Sequence, residues 1–289
     1  MTIIFGLLSA FSYGYADFVG ALAAKKVRAI TVTTISFVFG LGIATVLALF
    51  IGANFSQAAI TSGIYAGICS GIAISCLYAA LALGPISIVS PLTAVISAII
   101  PVIFDLATGA KLGPFALVAI ALILVAVVLV AFVPGLDFRL PSARAMLYSI
   151  GAGVGFSGIF VFLDGAPSDS GLATLIVMRI VGVLLMFAGL AYAFFRYHPK
   201  QFLETEIFGR SLIWLVLLAG MGDVLGNVFF LVATRAGELA IAAVLTALYP
   251  VGTILLARIV LKERIAKSQS LGIVLAIGAC VLIAIGKPA

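Results

Sequence analysis

The amino-acid sequence predicts an all-α integral membrane protein in which ten transmembrane helices form two inverted repeats of five helices. Three observations predict this fold: the composition, the number of long apolar segments, and a weak internal repeat whose two copies carry different loop charges. Of 289 residues, 64% are hydrophobic and 9% are charged, whereas soluble domains carry about 25% charged residues. The chain therefore has too few charges to cover the surface of a soluble globule.

The apolar segments give the number of helices. A membrane-spanning helix needs about 20 consecutive apolar residues, because the hydrocarbon core is about 30 Å thick. Ten segments meet this requirement and short connectors join them, so the sequence leaves no room for a separate soluble domain. The predicted spans lie at 2–23, 30–52, 60–82, 86–106, 114–133, 145–164, 171–195, 211–234, 239–260 and 268–286.

The second half of the chain weakly repeats the first. A shift of about 153 positions superposes residues 76–132 on residues 229–285 without a gap, and it aligns Leu92-Thr93-Ala94 with Leu245-Thr246-Ala247. Weak internal symmetry in a hydrophobic chain is typical of transporters whose site lies where the halves meet. We therefore predict a first repeat at 1–136, with spans one to five, and a second at 137–289, with spans six to ten.

The connector charges predict the orientation of the spans. Most basic residues lie in the odd-numbered connectors. The even-numbered connectors and the termini hold only Lys111, Arg235 and Lys287. By the positive-inside rule the odd connectors are cytoplasmic, which places both termini outside. Equivalent connectors also differ, because Lys25-Lys26-Val27-Arg28 corresponds to a connector that carries Asp164 and Asp169. With five spans per repeat, this difference indicates that the second repeat is inverted.

Span one contains the first candidate site residue. An ionisable side chain in hydrocarbon costs about 2.5–3.5 kcal/mol on insertion scales, so each one needs an explanation. Asp17 lies on a stripe of small and polar residues that includes Tyr13, and Phe11 and Phe18 lie on the opposite face, which we expect to contact lipid. Asp17 is therefore expected to point inward, either as a proton carrier or as the acceptor of a structural hydrogen bond.

Span eight repeats this pattern. Asp223 lies near its middle and Asn227 follows one turn later. The two side chains could hold an ammonium group or a proton, or they could hydrogen-bond each other and a facing helix. We favour the functional interpretation because Asp223 is so deep in the span. Span six presents Phe156 and Ser157 along one side but has no central carboxylate, so we expect the two repeats to differ chemically.

Prolines mark possible bends near the predicted site. Span nine groups Thr246 and Tyr249 beside Pro250, and span four, its repeat partner, contains Pro91 and Pro101. A proline inside a helix frees a carbonyl group and permits a bend, which membranes tolerate where polar neighbours satisfy it. Bends at matching places in two repeats are typical of a transport site.

Two more polar residues lie within spans. Tyr78 in span three could form an aromatic wall of the site, although a single tyrosine is also a common interfacial anchor. Arg179, about nine residues into span seven, is the only arginine well inside a predicted span. It could pair with an acidic group, neutralise a substrate carboxylate, or extend to a lipid headgroup. We favour a structural role for it.

The most characteristic motif of the chain lies in spans nine and ten. Leu245-Thr246-Ala247-Leu248-Tyr249-Pro250-Val251 leads to Leu261-Lys262-Glu263-Arg264 and then to Gln269-Ser270-Leu271-Gly272. With these residues the chain resembles the drug/metabolite transporter superfamily, specifically EamA-type transporters with two EamA domains. Tyr13-Gly14 is similar to the aromatic–glycine step of the family's first helix, and Arg179 matches an arginine common in its seventh.

The first repeat departs from the family motif, because Gly109-Ala110-Lys111 stands in place of the fuller pattern and Ala110 falls where the second repeat has Glu263. The resemblance implies ten helices in inverted repeats, a central cavity lined mainly by helices one, three, four, six, eight and nine, and movement of small metabolites, often outward.

The sequence thus predicts a secondary transporter, more specifically an exporter, of small organic metabolites such as amino acids. It would work by alternating access, with Asp17 and Asp223 as candidates for proton coupling or contact with a substrate cation. The alternatives are a flippase for a lipid or lipid carrier and an exporter of cationic drugs. An integral-membrane enzyme is a remote alternative, because His198 is the single histidine and the sequence contains no metal-ligand or Ser/His/Asp pattern.

The expected partners are a small-molecule substrate, H⁺ and the lipid bilayer, with no cofactor, metal or nucleic acid. ATP-driven transport is not expected, because the sequence has no glycine-rich phosphate-binding loop followed by lysine. We expect a multi-pass protein of the inner (plasma) membrane, present as a monomer or a homodimer.

Overall fold

A computed structural model of the protein describes residues 1–83, 86–131, 142–196, 209–262 and 265–285. In this part of the chain, ten helical segments are long and apolar enough to cross a membrane, which confirms the predicted fold class. The helices are α1 (Thr2–Ala24), α2 (Ala29–Ile51), α3 (Gln57–Leu83), α4 (Ile86–Ala107), α5 (Pro114–Ala131), α6 (Ala143–Asp164), α7 (Ala173–Arg196), α8 (Arg210–Arg235), α9 (Leu239–Thr246), α10 (Tyr249–Val260) and α11 (Lys267–Ile285).

The ninth span consists of two helices, α9 and α10, with a break at Ala247 and Leu248. Pro250 lies in the first turn of α10, where its missing N–H group does not interrupt the helix. In the repeat partner α4, Pro91 and Pro101 both lie inside an unbroken helix. The two repeats therefore differ at this point, although the sequence suggested bends in both.

The packing of the helices follows the internal repeat. The contact of α1 with α8 corresponds to that of α6 with α3. Likewise, the contact of α2 with α8 corresponds to that of α7 with α3. The contacts of α1 with α9 and α10 correspond to that of α6 with α4. Every one of these contacts joins the first repeat to the second. Contacts within a repeat, such as those between α1 and α2, are less extensive.

Equivalent helices run in opposite directions. In the packing of α2 on α7, Gly189 faces Ile30 and Gly182 faces Phe37, so positions later in α7 meet positions earlier in α2. At the far end of this pair, the backbones of Ala53 and Gly171 form an isolated bridge. Because α7 is the counterpart of α2, the second repeat is inverted relative to the first.

The two membrane faces differ in charge. We call the face that bears the connectors after α1 and α10 the basic face, since it carries Lys25, Lys26, Arg28 and Lys262. The opposite face bears the connectors after α2, α6 and α8. On the side of the opposite face, Ala98 and Val102 of α4 share a buried cluster with Val244 of α9. Contacts between α4 and α10 are fewer in the described residues, and a side-chain hydrogen bond between Tyr249 and Ser90 is one of them. The seam between spans four and nine is therefore packed mainly at the opposite face.

One predicted lipid-facing residue is buried. Phe18 is 7% exposed and packs in a cluster with Ala219 of α8 and Leu256 of α10, whereas Phe11 is 50% exposed. The prediction for Phe18 was wrong because α8 and α10 flank α1 on two sides. A side chain buried between membrane helices is as apolar as one that contacts lipid, so the sequence pattern does not distinguish them.

Candidate functional site

A buried ion pair lies in the interior of the bundle. The Nη1 atom of Arg179 on α7 contacts the Oδ2 atom of Asp223 on α8, and the side chains are 2% and 28% exposed. The guanidinium carbon also lies 5.0 Å from the ring centre of Phe37 on α2, a distance suited to a cation–π contact. Within the described structure, the Nε and Nη2 atoms of Arg179 have no hydrogen-bond partner. Of the three interactions predicted for Arg179, the structure shows the one with an acidic group.

Asn227 does not bind the carboxylate of Asp223 in this structure. Its Nδ2 atom donates a hydrogen bond to the backbone oxygen of Asp223 at 2.9 Å, and the residue is 4% exposed. The amide thus satisfies a carbonyl of its own helix. Asp223 has Arg179 as its charged partner, and the side-chain hydrogen bond between Asp223 and Asn227, one of the alternatives left open by the sequence, is not formed.

Asp17 differs from Asp223 because its side chain is exposed and no ion pair with it occurs in the part of the chain that the structure describes. It lies within electrostatic range of Asp223 on α8, Tyr78 on α3 and Tyr249 on α10. Since these groups belong to three helices around α1, Asp17 is exposed to a cleft within the bundle and not to lipid.

The cleft opens toward the basic face. Residues at intervals of three or four lie on one side of a helix, so Ala10, Asp17, Ala21 and Ala24 share one face of α1. Ala10 is buried, whereas Ala21 and Ala24, which lie nearer the basic face, are exposed. The accessible surface beside Asp17 therefore continues to the basic face and ends near the middle of the bundle.

Tyrosine side chains surround this cleft. The Tyr78 hydroxyl group is hydrogen-bonded to Thr33 of α2, and it also lies 3.4 Å from the backbone oxygen of Ala29. Thr33 itself donates to the same Ala29 oxygen at 3.0 Å. Tyr78 thus connects α3 to α2 at the end nearer the basic face, which is a more specific role than that of an interfacial anchor.

Two other tyrosines complete the cluster. Tyr249 has a side-chain hydrogen bond with Ser90 of α4. The ring of Tyr13 lies against Gly226 of α8, where a Cβ atom would come within 2.8 Å of the ring. Tyr13 is also within electrostatic range of Arg179 and of both carboxylates. The structure therefore groups Tyr13, Asp17, Tyr78, Asp223 and Tyr249, which the sequence placed on four different spans.

The remaining predicted residues have packing contacts. The Ser157 hydroxyl is 2.7 Å from the Gly153 oxygen in its own helix and 3.2 Å from the Ile96 oxygen of α4, and the residue is buried. Phe156 is partly buried against a hydrophobic cluster that contains residues of both repeats. Thr246 is fully buried, and its Oγ1 atom has no hydrogen-bond partner among the described atoms. A transport role for these three residues remains a prediction.

Sequence reasoning missed several residues of the site. Thr33, Phe37 and Ser90 each contact a predicted site residue. Thr33 belongs to a cluster of threonines in span two, and that cluster was the available signal. Phe37 and Ser90 had no such signal, because a phenylalanine or a single serine is common in any membrane helix. Within the described ranges, no group of three or more His, Cys, Asp or Glu side chains could hold a metal ion.

The two halves of the chain each match one family of proteins. Residues 1–132 and residues 143–285 match the sequence model of the EamA-like transporter family. The chain belongs to the EamA-like transporter family. This confirms the resemblance drawn from the motif in spans nine and ten, and it makes the protein a multi-pass membrane transporter. Glu263 and Arg264 of that motif, His198 and the predicted boundary between residues 136 and 137 lie outside the described residues.

Comparison of this EamA-like transporter with solved structures supports the same fold. A structure described as "Crystal structure of protein" superposes with a TM-score of 0.76 and covers 98% of this chain and 96% of its own, at 16% sequence identity. At this identity the similarity shows the fold alone. A search of the curated proteins finds no match.

Proposed function

We propose that this EamA-like transporter is a secondary exporter of small organic metabolites, amino-acid-like compounds among them, in which Asp17 couples transport to a cation. The observation that carries the proposal is the accessible, unpaired carboxylate of Asp17 in a cleft between the two repeats. A transporter needs such a group to be reachable from the water on one side of the membrane.

The charges of the site favour Asp17 as the coupling residue. A carboxylate inside a membrane protein is costly unless a cation or hydrogen-bond donors compensate it. Arg179 compensates Asp223, but Asp17 has no charged partner of this kind in the described structure. A proton or an ammonium group that enters the cleft would provide the missing positive charge. The rings of Tyr13, Tyr78 and Tyr249 surround this position, and aromatic faces attract ammonium groups.

The architecture supports alternating access. Inverted repeats allow one half to move against the other around a site at their interface. The seam between spans four and nine is closed at the opposite face, while the cleft at Asp17 opens to the basic face. By the positive-inside rule the basic face is cytoplasmic, so an exporter in the plasma membrane would load its substrate in this state.

Proteoliposomes test the proposal. Vesicles with purified protein would be loaded with mixtures of small metabolites, and efflux would be measured with and without an imposed pH gradient. We expect the gradient to accelerate the efflux of a subset of amine-containing metabolites, and Asp17→Asn to abolish this acceleration. Asp169→Asn is the matched control, because Asp169 is an exposed acid on the opposite face, and it should behave like the parent protein.

Two results would overturn the proposal. If Asp17→Asn kept the full response to the pH gradient, Asp17 would not be the coupling residue. If the folded protein moved no soluble metabolite but accelerated the transbilayer movement of fluorescent lipids, the flippase alternative would replace the exporter.

A further inference from the structure

A carboxylate of the first repeat caps a helix of the second repeat. The Oδ2 atom of Asp105, near the end of α4, accepts a hydrogen bond from the backbone N–H of Ala240 at 2.8 Å. Asp105 is 9% exposed, and Ala240 lies in the first turn of α9. The N-cap residue of α9, Glu238, provides no side-chain cap of its own. Asp105 therefore supplies from another helix the acceptor that an N-cap residue usually supplies locally.

This hydrogen bond lies at the closed end of the bundle. α4 and α9 pack together through Ala98, Val102 and Val244, and Asp105 is near the end of this seam at the opposite face. A negative charge at a helix N-terminus is favourable because the first N–H groups point toward it. The seam is thus held by apolar packing along its length and by a charged hydrogen bond at its end.

The internal repeat shows that the two ends of the seam between spans four and nine have different residues at the capping position. The shift that superposes the repeats places Asp105 on Arg258 of α10, and it places the start of α9 on the start of α4. If the basic face closed in the same way, Arg258 would lie beside the start of α4, as Asp105 now lies beside the start of α9. A guanidinium group accepts no hydrogen bond from an N–H group, and a cation at a helix N-terminus is unfavourable. The closed basic face would therefore lack the cap that the closed opposite face has.

We propose that Asp105 is a latch that holds the opposite face closed and makes the state open to the basic face the resting state. This inference rests on the alternating access of the proposed function, but it concerns the equilibrium between the two states and not the substrate. Loss of a helix cap changes an equilibrium by about 2- to 30-fold. Removing the acceptor should therefore shift the protein measurably toward the state open to the opposite face.

Cysteine accessibility tests the latch without a substrate. In a chain in which Cys69, Cys76 and Cys280 are replaced by alanine, Val244→Cys reports on the seam, since Val244 is 0% exposed when the seam is closed. The rate of its reaction with a water-soluble maleimide would be measured in detergent. We expect Asp105→Ala to raise this rate about 2- to 30-fold.

Asp105→Asn is the matched variant. Its amide oxygen still accepts the N–H of Ala240, and Asp164 and Glu238 lie close enough to the site that losing a negative charge is tolerated. We expect its labelling rate to stay within about twofold of the parent, as for a retained cap. Arg258→Asp adds an acceptor at the equivalent position of the basic face, and it should raise the rate at Val244→Cys in the same direction as Asp105→Ala.

A second reporter separates a latch from general loosening. Ala23→Cys lies on α1 in a separate buried cluster with Leu212 and Val216 of α8, away from the seam, and Ala23 is fully buried. We expect it to stay unreactive in every variant. The latch is wrong if Asp105→Ala leaves the rate at Val244→Cys unchanged, if Asp105→Asn raises it equally, or if Ala23→Cys becomes equally reactive. If the protein nevertheless exports metabolites in response to a pH gradient, the proposed function stands without the latch.

Discussion

Arg179 and Asp223 form an ion pair between the seventh and eighth helices, and the ring of Phe37 lies beside the guanidinium group. The arginine is almost fully buried, while the aspartate reaches the region of the cleft. Arg179 thus compensates the charge of Asp223, while the charge of Asp17 is left for a cation that enters the cleft. This division of roles leads to two separate predictions about stability.

The ion pair should contribute strongly to folding stability. Arg179→Met should lower the free energy of unfolding by about 3–5 kcal/mol, because removing one partner of a buried pair leaves an uncompensated charge. The double variant Arg179→Met with Asp223→Asn should be more stable than Arg179→Met alone, since neither charge remains. Thermal unfolding in detergent of the parent, both single variants and the double variant measures the coupling. Additive single effects would show that the two residues do not interact.

Asp17 should matter little for stability. Asp17→Asn should leave the free energy of unfolding unchanged or raise it, because the side chain is exposed, has no ion pair in the described structure, and its charge is costly inside a membrane protein. Asp223→Asn, measured in the same way, should be clearly less stable. If the two variants melted at the same reduced temperature, Asp17 would have a structural partner and its assignment to the cleft would be incorrect.

The crossing of α1 and α10 should tolerate no side chain at Gly14. A Cβ atom there would lie 2.5 Å from the Tyr249 oxygen and 2.8 Å from the Thr253 nitrogen, both of which are backbone atoms. Gly14→Ala should therefore destabilise the protein by about 1–3 kcal/mol, or reduce transport by separating the helices. The variant would be assayed both for its melting temperature and for metabolite efflux.

Gly42→Ala is the matched control for this prediction. Gly42 also lies inside a helix, but a Cβ atom there would meet nothing within 4 Å. Alanine should be neutral or should stabilise the helix by about 0.5–1 kcal/mol, because glycine loses more backbone freedom on folding. Equal effects of the two substitutions would show that the close approach at Gly14 is not a constraint.

Arg235 should hold the connector between α6 and α7 in place. Its Nη2 atom donates to the Ser170 hydroxyl and the Gly171 oxygen, each at 3.0 Å. Arg235→Ala should increase backbone hydrogen exchange in this connector about fivefold, as expected for the loss of about 1 kcal/mol of local stability. Hydrogen–deuterium exchange with mass spectrometry measures this, and Arg210→Ala, at the other end of α8, is the control. Unchanged exchange in Arg235→Ala would contradict the role.

The sequence predicted the number of spans and the inversion of the repeats because both depend on properties that are local in the chain. A run of apolar residues identifies a helix, and the contrast between Lys25-Lys26-Val27-Arg28 and its acidic counterpart identifies the reversed direction. The position of Asp17 on a small and polar stripe could also be read from the helical period alone. These inferences need no knowledge of which helices are neighbours.

The partners of the site residues could not be predicted, because they depend on the register between helices. Nothing local to Arg179 specifies Asp223, which lies on another helix, and nothing local to Asp105 specifies the start of α9. The burial of Phe18 could not be predicted for the same reason, since it depends on the two helices, α8 and α10, that flank α1. Pro91 and Pro250 also show that a proline is found both inside a continuous helix and beside a break, since Pro91 lies inside α4 and Pro250 lies in the first turn of α10, just after the break.

The most extensive helix contacts all join one repeat to the other, and this has a consequence for biosynthesis. The first five helices enter the membrane before their packing partners have been translated. During this time Asp17 of α1 has neither α8 nor α10 beside it. A bilayer offers no water to such a carboxylate, and the insertion machinery or a neighbouring helix must shelter it until α10 arrives. The helices of the first repeat therefore reach their final packing only after the last helices of the chain have been synthesised.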